Sequence, residues 1–235
     1  MHEHISSAYD RDLEGITTLI MKMGGLVEEA ILDAAKSLAN RDVELAEKVR
    51  AGDKLIDALE IQINEEAART IALRAPVSKD LRSVLTVLRL AASLERIGDY
   101  AKNIAKRTSV VVEMNPVSGS DAALRRMARE VEQMLKDTLD AYVRGDAALA
   151  EDVRQRDQEV DQMYNALFRE FLTFMMEDPR NITACMHLHF MAKNIERMGD
   201  LTTNMAEQVI YLVTGEMPEE ARPKGDRTAY VTDQS

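Results

Sequence analysis

The chain has very little of several residue types on which common protein classes depend. Its 235 residues include no tryptophan, one cysteine, five prolines and ten glycines, and only 4% are aromatic. A single cysteine cannot form an internal disulfide, and Cys185 is predicted to be a buried structural thiol in an apolar stretch. Few glycines and prolines, 30% charged residues and 14 methionines together predict an all-α protein.

Positive charge and long apolar runs are also scarce. The net charge is -11, which disfavours nucleic-acid binding because a DNA-contacting surface must neutralise phosphates with clustered basic residues. Residues 1–14 lack the basic stretch and apolar core of a secretory signal. No uncharged apolar run approaches the ~20 residues that span a bilayer. We therefore expect a cytoplasmic protein without direct membrane insertion.

Familiar catalytic motifs are missing as well. The chain has no phosphate-binding glycine loop, no nucleophile elbow and no helix-borne HExxH pattern. A carboxylate-bridged dimetal oxidase needs paired Glu-x-x-His motifs, and none is found. We expect that the protein is not an enzyme. A carboxylate-bridged metal-dependent enzyme or a metal-storage helical protein is the alternative.

What the chain does contain is an internal duplication. One segment, with Glu95, Gly98, Asp99 and Asn103, returns at a constant offset of 101 residues. A second block, residues 42–50, matches residues 146–154 at an offset of 104. Such self-similarity is typical of a tandem repeat, with about a hundred residues in each copy.

Proline positions divide each copy into three helices. All five prolines fall where helices would have to begin or end. The predicted helices span residues 6–39, 42–74, 77–113, 119–144, 146–177 and 180–214. The predicted fold class is all-α, with two tandem antiparallel three-helix bundles related by internal duplication. The first bundle covers residues 5–114, the second covers 119–214, and residues 215–235 form a flexible tail.

The acidic residues of each copy are predicted to meet across a helical hairpin. Residues equidistant from an antiparallel turn lie side by side. Asp57 and Glu95 have a mean position of 76, and Pro76 marks the first hairpin. Asp53 and Asp99 have the same mean position. In the second copy, the corresponding pairs are centred beside Pro179; they are Asp161 with Glu196 and Asp157 with Asp200.

Each gathering of acids needs compensating charge, because even one like-charge pair destabilises a helix by ~0.2 to 0.5 kcal/mol. Oxygen ligands favour magnesium, calcium, manganese or iron, whereas zinc is less expected without cysteine or histidine. Arg96 and Arg197 are candidate partners at the edge of the acidic face. A purely structural polar network is the alternative. The predicted metal ligands are Asp53, Asp57, Glu95, Asp99 and Asn103, followed by Asp157, Asp161, Glu196, Asp200 and Asn204.

Three smaller features complete the prediction. Gly98 and Gly199 are costly inside helices, by about 1 kcal/mol each relative to alanine, so close helix approach is expected there. His189 is expected to be a packing residue rather than a ligand. The third helix has two apolar stripes. The first should carry the packing and consists of Leu90, Leu94, Ile97, Ala101 and Ile104. The second leads along the helix to the acidic residues Glu95 and Asp99 and consists of Leu81, Val84, Leu85, Leu88 and Ala91.

These motifs resemble a known family. The pattern Glu95-x-x-x-Asp99-x-x-x-Asn103 and its copy, each preceded by Asp-x-x-x-Asp, are similar to the signature helices of the PhoU phosphate-signalling family. The local sequences are LERIGDYAKNIA and IERMGDLTTNMA, and the resemblance spans residues 5–214.

The resemblance implies tandem three-helix bundles whose acidic motifs bind metal ions such as iron, zinc, manganese or magnesium. It also implies a negative regulator of the phosphate-starvation response rather than a catalyst. The implied partners are the ATPase subunit of the phosphate ABC transporter and the sensor histidine kinase of the phosphate two-component system. A homodimer is implied as well.

Overall fold

Six long helices make up the part of the chain that the structure describes. The structure, a computed structural model, describes the backbone of residues 2–218 and the side chains of residues 8–218. The helices are α1 (His2–Asn40), α2 (Val43–Arg74), α3 (Lys79–Val111), α4 (Ser120–Arg144), α5 (Ala147–Glu177) and α6 (Ile182–Thr214). The predicted helix count and class are confirmed.

The helix ends follow local chemistry, and most of them lie within two residues of the predicted bounds, while α1 begins four residues earlier than predicted. Asp42 and Asp146 cap α2 and α5 by accepting hydrogen bonds from backbone amides of the first turn. The first hairpin turn is longer than expected, because the positive φ angles of Ala75 (46°) and Ser78 (49°) delay α3 to Lys79. A 3₁₀ turn (Pro179–Asn181) precedes α6. Most of the predicted tail lies outside the described residues.

The three helices of the first copy pack as an up-down-up bundle. Arg74 of α2 pairs with Asp12 of α1 (Nε to Oδ2, 2.9 Å), whereas Lys48 at the other end of α2 pairs with Glu29 (Nζ to Oε1, 3.0 Å). Residue numbers thus rise on one helix as they fall on the other. The two helices are therefore antiparallel.

The two copies pack against each other through two antiparallel helix pairs. On α3 and α6, Arg89 Nη1 lies 2.6 Å from Gln208 Oε1, while Arg107 Nη1 lies 3.3 Å from His187 Nδ1. On α1 and α4, Thr17 and Tyr142 share a hydrogen bond of 3.2 Å. Exchanging the two copies turns α3 into α6 and α1 into α4, so each helix pair maps onto itself. The duplication therefore gives the molecule a pseudo-twofold axis.

This arrangement merges the apolar residues of both copies into one continuous core. The predicted packing stripe from Leu90 to Ile104 is fully buried, and so is Cys185. Leu85, on the other stripe, was expected to face the core, but 44% of its surface is exposed. The helices α2 and α5 pack within their own bundles and flank the shared core. No described helix is both long enough and apolar enough to cross a membrane.

Glu28 lies in the interface between α1 and α4, in surroundings that destabilise its negative charge. Burial raises the pKa of Glu28, and the facing carboxylate of Glu132 raises it further, although Lys136 partly compensates. The folded state therefore binds a proton at Glu28 more tightly than the unfolded chain does. That stabilising contribution is complete below the ordinary glutamate pKa and is lost as the pH rises through the raised value.

We expect Glu28→Gln to stabilise the protein at pH 7, by roughly 0.5 kcal/mol, because the uncharged amide avoids this penalty. Chemical denaturation at pH 7 and at pH 3.5 measures the effect, which should disappear at the lower pH. Glu29→Gln is the matched control, because Glu29 is exposed and pairs with Lys48. A Glu28→Gln variant less stable than wild type at pH 7 would contradict the prediction.

Candidate site: two acidic clusters

The first acidic cluster, formed by Asp53, Asp57, Glu95, Asp99 and Asn103, lies between α2 and α3. The ammonium of Lys102 joins its two helices, since Nζ contacts Asp53 Oδ2 and lies 3.2 Å from Asp99 Oδ1. This contact confirms that Asp53 and Asp99 meet across the hairpin. Asp53 is only 4% exposed, whereas Asn103 at the end of the motif is exposed.

Burial, reinforced by mutual repulsion, raises the pKa values of two carboxyls in the first acidic cluster. Burial raises the pKa of Asp57, and the neighbouring charge of Asp53 raises it further, with partial relief from Lys102. Burial also raises the pKa of Glu95, and Asp99 adds to that effect. The hydrogen bond to Asp53 raises the pKa of the Lys102 ammonium, so Lys102 stays charged at neutral pH. One ammonium thus offsets part of the negative charge.

Glycine allows the two helices of each cluster to approach closely. A Cβ atom on Gly98 would lie 3.0 Å from Ile56 Cδ1 and 3.8 Å from Asp53 Oδ1. A Cβ atom on Gly199 would lie 3.3 Å from Val160 Cγ1 and 3.5 Å from Asp157 Oδ1. The prediction of close approach is confirmed in both copies. The missing side chains leave room for the buried aspartates.

The second acidic cluster, formed by Asp157, Asp161, Glu196, Asp200 and Asn204, lies between α5 and α6. Its first three members are between 2% and 5% exposed, Asp200 is half-buried and Asn204 is exposed. Each of the five side chains interacts with another group of the protein. This cluster is therefore more enclosed than the first.

Basic residues of its own accompany the second acidic cluster. Lys193 Nζ lies 2.8 Å from Glu196 Oε1 and 4.8 Å from the centre of the Tyr164 ring. Arg154, whose side chain is 8% exposed, pairs with Glu151 (2.7 Å) and Glu207 (3.3 Å). Lys193 thus brings a half-buried positive charge to the second acidic cluster, while Arg154, one turn before Asp157 on α5, pairs with acids beside it.

The cations of the two clusters are not related by the duplication. The residue 101 positions after Lys102 is Thr203, and the residue 101 positions before Lys193 is Ala92. Arg154 does have a counterpart, Arg50, but that side chain is 39% exposed. The acids are therefore repeated, whereas the lysines that contact them, Lys102 and Lys193, are not.

The chemistry of the donors in the first acidic cluster fits a hard cation. Its side chains offer only oxygen ligands apart from the amide nitrogen of Asn103, and Asp53 Oδ1 is buried with no hydrogen-bond partner among the described residues. Within residues 8–218, no three His, Cys, Asp or Glu side chains converge in positions that could hold an ion. Metal binding therefore remains a prediction.

The residues that neutralise the acids were not predicted. Arg96 and Arg197, the candidates from the sequence, are exposed, while Lys102 and Lys193 are the basic residues that contact cluster carboxylates. A usable signal was present, because Lys102 follows Asp99 by three residues and Lys193 precedes Glu196 by three.

His189 lies in an aromatic cluster of the second copy, close to the second acidic cluster. Its ring centre is 5.8 Å from that of Tyr164 and 5.4 Å from that of Phe168. Burial lowers the pKa of His189, and the nearby charge of Lys193 lowers it further. The prediction of a packing histidine is confirmed.

Comparison with known proteins agrees with the duplicated site. The family model described as the PhoU domain matches the chain twice, at residues 20–108 and 124–209. This chain belongs to the PhoU family. Each match contains one of the two acidic clusters.

Relatives in the PhoU family resemble the chain along nearly its whole length. The "Phosphate-specific transport system accessory protein PhoU homolog" of Rhizobium meliloti (strain 1021) is 46% identical over 228 residues, covering 97% of this chain and 96% of that protein. The protein of the same name from Caulobacter vibrioides (strain NA1000 / CB15N) is 46% identical over 226 residues, covering 96% and 98%.

Solved structures of PhoU proteins share the fold. The crystal structure of PhoU from Pseudomonas aeruginosa superposes with a TM-score of 0.86 at 38% identity, covering 88% of this chain and 100% of that one. The phosphate transport system regulatory protein PhoU from Streptococcus pneumoniae gives 0.83 at 30% identity, covering 90% and 100%. The names describe accessory or regulatory proteins of phosphate transport rather than enzymes.

We expect Lys102→Met to destabilise the protein at pH 7 by about 1 to 3 kcal/mol, because the buried carboxylate of Asp53 then loses its charged partner. Urea unfolding followed by circular dichroism measures the loss. It should shrink at acid pH, where protonated carboxyls no longer need a cation.

Lys54→Met is the matched control for this variant. It removes the same charge from the residue next to Asp53, but Lys54 is exposed, so its effect should stay within about 0.5 kcal/mol. Equal losses in the two variants would show that the contact between Lys102 and Asp53 contributes nothing specific.

Proposed function

We propose that this PhoU protein is a cytoplasmic negative regulator of the phosphate-starvation response. In this role it is an adaptor between the phosphate ABC transporter, through its ATPase subunit, and a sensor histidine kinase. The observation that supports the proposal most strongly is the 46% identity, across 97% of the chain, to a phosphate transport accessory protein. The duplicated acids and the lack of familiar catalytic motifs agree with a role in protein contacts.

An adaptor needs surfaces that partners can reach, and the acidic clusters supply candidates. The helices α2 and α5 flank the shared core, so each cluster lies where an outer helix meets α3 or α6. Asp99 and Asn103 of the first acidic cluster, and Asn204 of the second, are exposed or half-buried. Exposed carboxylates attract basic partner surfaces and speed association at low salt. We propose these faces as docking surfaces, and a homodimer as the assembled form.

Deletion of the gene tests the regulatory role. In high phosphate, the deletion strain should express the phosphatase and phosphate-transporter genes that wild-type cells keep silent. A reporter for one such promoter measures the effect, and the wild-type gene supplied in trans should restore repression. Unchanged expression in the deletion strain would defeat the proposal.

We also propose that the acidic clusters bind divalent or trivalent cations such as magnesium, manganese, iron or zinc. The buried Asp53 oxygen without a hydrogen-bond partner and the raised pKa values of Asp57 and Glu95 support this for the first cluster. Burial and repulsion both disfavour the charged carboxylates there, and a bound cation would offset that penalty. The first cluster is the better candidate, because the second is more enclosed.

Elemental analysis of protein purified without chelator tests cation binding. We expect near-stoichiometric metal in wild type and its loss in the double variant Asp99→Ala plus Asp200→Ala. The control is Glu65→Ala plus Glu159→Ala, which removes the same charge from exposed positions of α2 and α5. Wild-type protein without metal, or equal metal in both double variants, counts against the clusters as metal sites.

A further inference from the structure

A cleft between α3 and α6 is lined by basic residues, although the chain as a whole is acidic. It has a volume of about 410 Å³ and is lined by Asn103, Lys106, Arg107, Val110, His187 and Asn194. We call it the α3/α6 cleft. Its lining includes two cations, one imidazole and two amides, but no carboxylate. The cleft therefore concentrates positive charge and hydrogen-bond donors in a protein whose net charge is -11.

Arg107 is held in place at the wall of the α3/α6 cleft. Its guanidinium carbon lies 4.5 Å from the centre of the Phe190 ring, as in a cation-π contact. A side chain already fixed in this way loses less conformational entropy when it binds a ligand. The planar guanidinium carries five N–H donors, and its geometry suits an oxyanion.

The contact between Arg107 and His187 defines the donors further. Arg107 Nη1 lies 3.3 Å from His187 Nδ1, and an arginine can only donate a hydrogen bond. Nδ1 therefore accepts, which places the proton of the neutral imidazole on Nε2. His187 thus adds an N–H donor rather than a second acceptor.

Negative charge near the α3/α6 cleft is already engaged. Along α3, the carboxylate closest to the cleft lining is that of Asp99, one turn before Asn103, and it lies 3.2 Å from Lys102 Nζ. Along α6 it is that of Glu196, two residues after Asn194, and its Oε1 lies 2.8 Å from Lys193 Nζ. These ion pairs weaken the repulsion that an entering anion would meet. The charge of Lys106 on the cleft wall remains available for a ligand.

We propose that the α3/α6 cleft binds a phosphate group, either free or carried on a nucleotide. Lys106 and Arg107 supply charge-assisted hydrogen bonds, while His187 Nε2 and the amides of Asn103 and Asn194 supply neutral ones. A phosphate dianion, with several acceptor oxygens, matches this donor set better than a singly charged carboxylate. The inference goes beyond the proposed function, since it requires neither a regulatory partner nor a metal.

The duplication predicts a single site of this kind per chain. The residues 101 positions after Lys106 and Arg107 are Glu207 and Gln208. Glu207 pairs with Arg154, and Gln208 accepts a hydrogen bond from Arg89. The equivalent positions of the second copy thus carry an acid and an amide, and both already contact arginine side chains of the protein.

Isothermal titration calorimetry of the full chain tests the proposal, with orthophosphate and ATP titrated separately in the absence of divalent cations. Binding should saturate near one equivalent. Arg107→Gln should weaken it roughly tenfold or more, as expected for a lost charge-assisted hydrogen bond. Arg89→Gln is the matched control, because it makes the same charge change on α3, near the other end of its contact with α6.

The two ligands distinguish the source of the phosphate group. Binding of orthophosphate supports a site for the free anion, whereas binding of ATP alone supports a nucleotide phosphate. Lys106→Gln, at an exposed position, repeats the test if Arg107→Gln disturbs folding as judged by circular dichroism. Absence of saturable binding by either ligand, or equal weakening by Arg89→Gln, would overturn the proposal.

Discussion

The antiparallel packing of α3 against α6 is the constraint on which the rest of the architecture depends. These helices carry the repeated acidic motifs and bury apolar stripes from both copies in one core. Because each copy supplies one helix of the pair, the two halves are related by a pseudo-twofold axis. The helices α2 and α5 are left on the outside, and each acidic cluster forms where one of them meets the central pair.

Duplication preserved the acids but not the residues that neutralise them. The first acidic cluster has one partly exposed ammonium, Lys102, which joins α2 to α3. In the second acidic cluster, the half-buried Lys193 pairs with Glu196. A carboxylate that is 2% to 5% exposed requires a nearby positive charge or hydrogen-bond donor, because burial of an unpaired charge is costly. The two copies therefore differ in the positive charges that lie beside their repeated acids.

Much of the fold could be predicted because its signals are local or repeated. Prolines and the 3.6-residue apolar period locate the helices, and counting from Pro76 brings Asp53 beside Asp99, as the Lys102 contact shows. The α3/α6 cleft could not be predicted in this way. Arg107 and His187 are 80 residues apart and meet only because the two copies pack together. Leu85 followed a core-like pattern but lies on a face that no helix covers completely.

Lys102 is a counter-ion that cannot diffuse away. Its ammonium is fixed to the same helix as Asp99, so its effective concentration at the first acidic cluster is set by a short tether rather than by the solution. Any free cation entering the cluster would have to compete with this permanent occupant. Such intramolecular competition would raise the concentration of free cation needed to half-fill the cluster, by a factor set by how strongly the tethered ammonium binds the carboxylates.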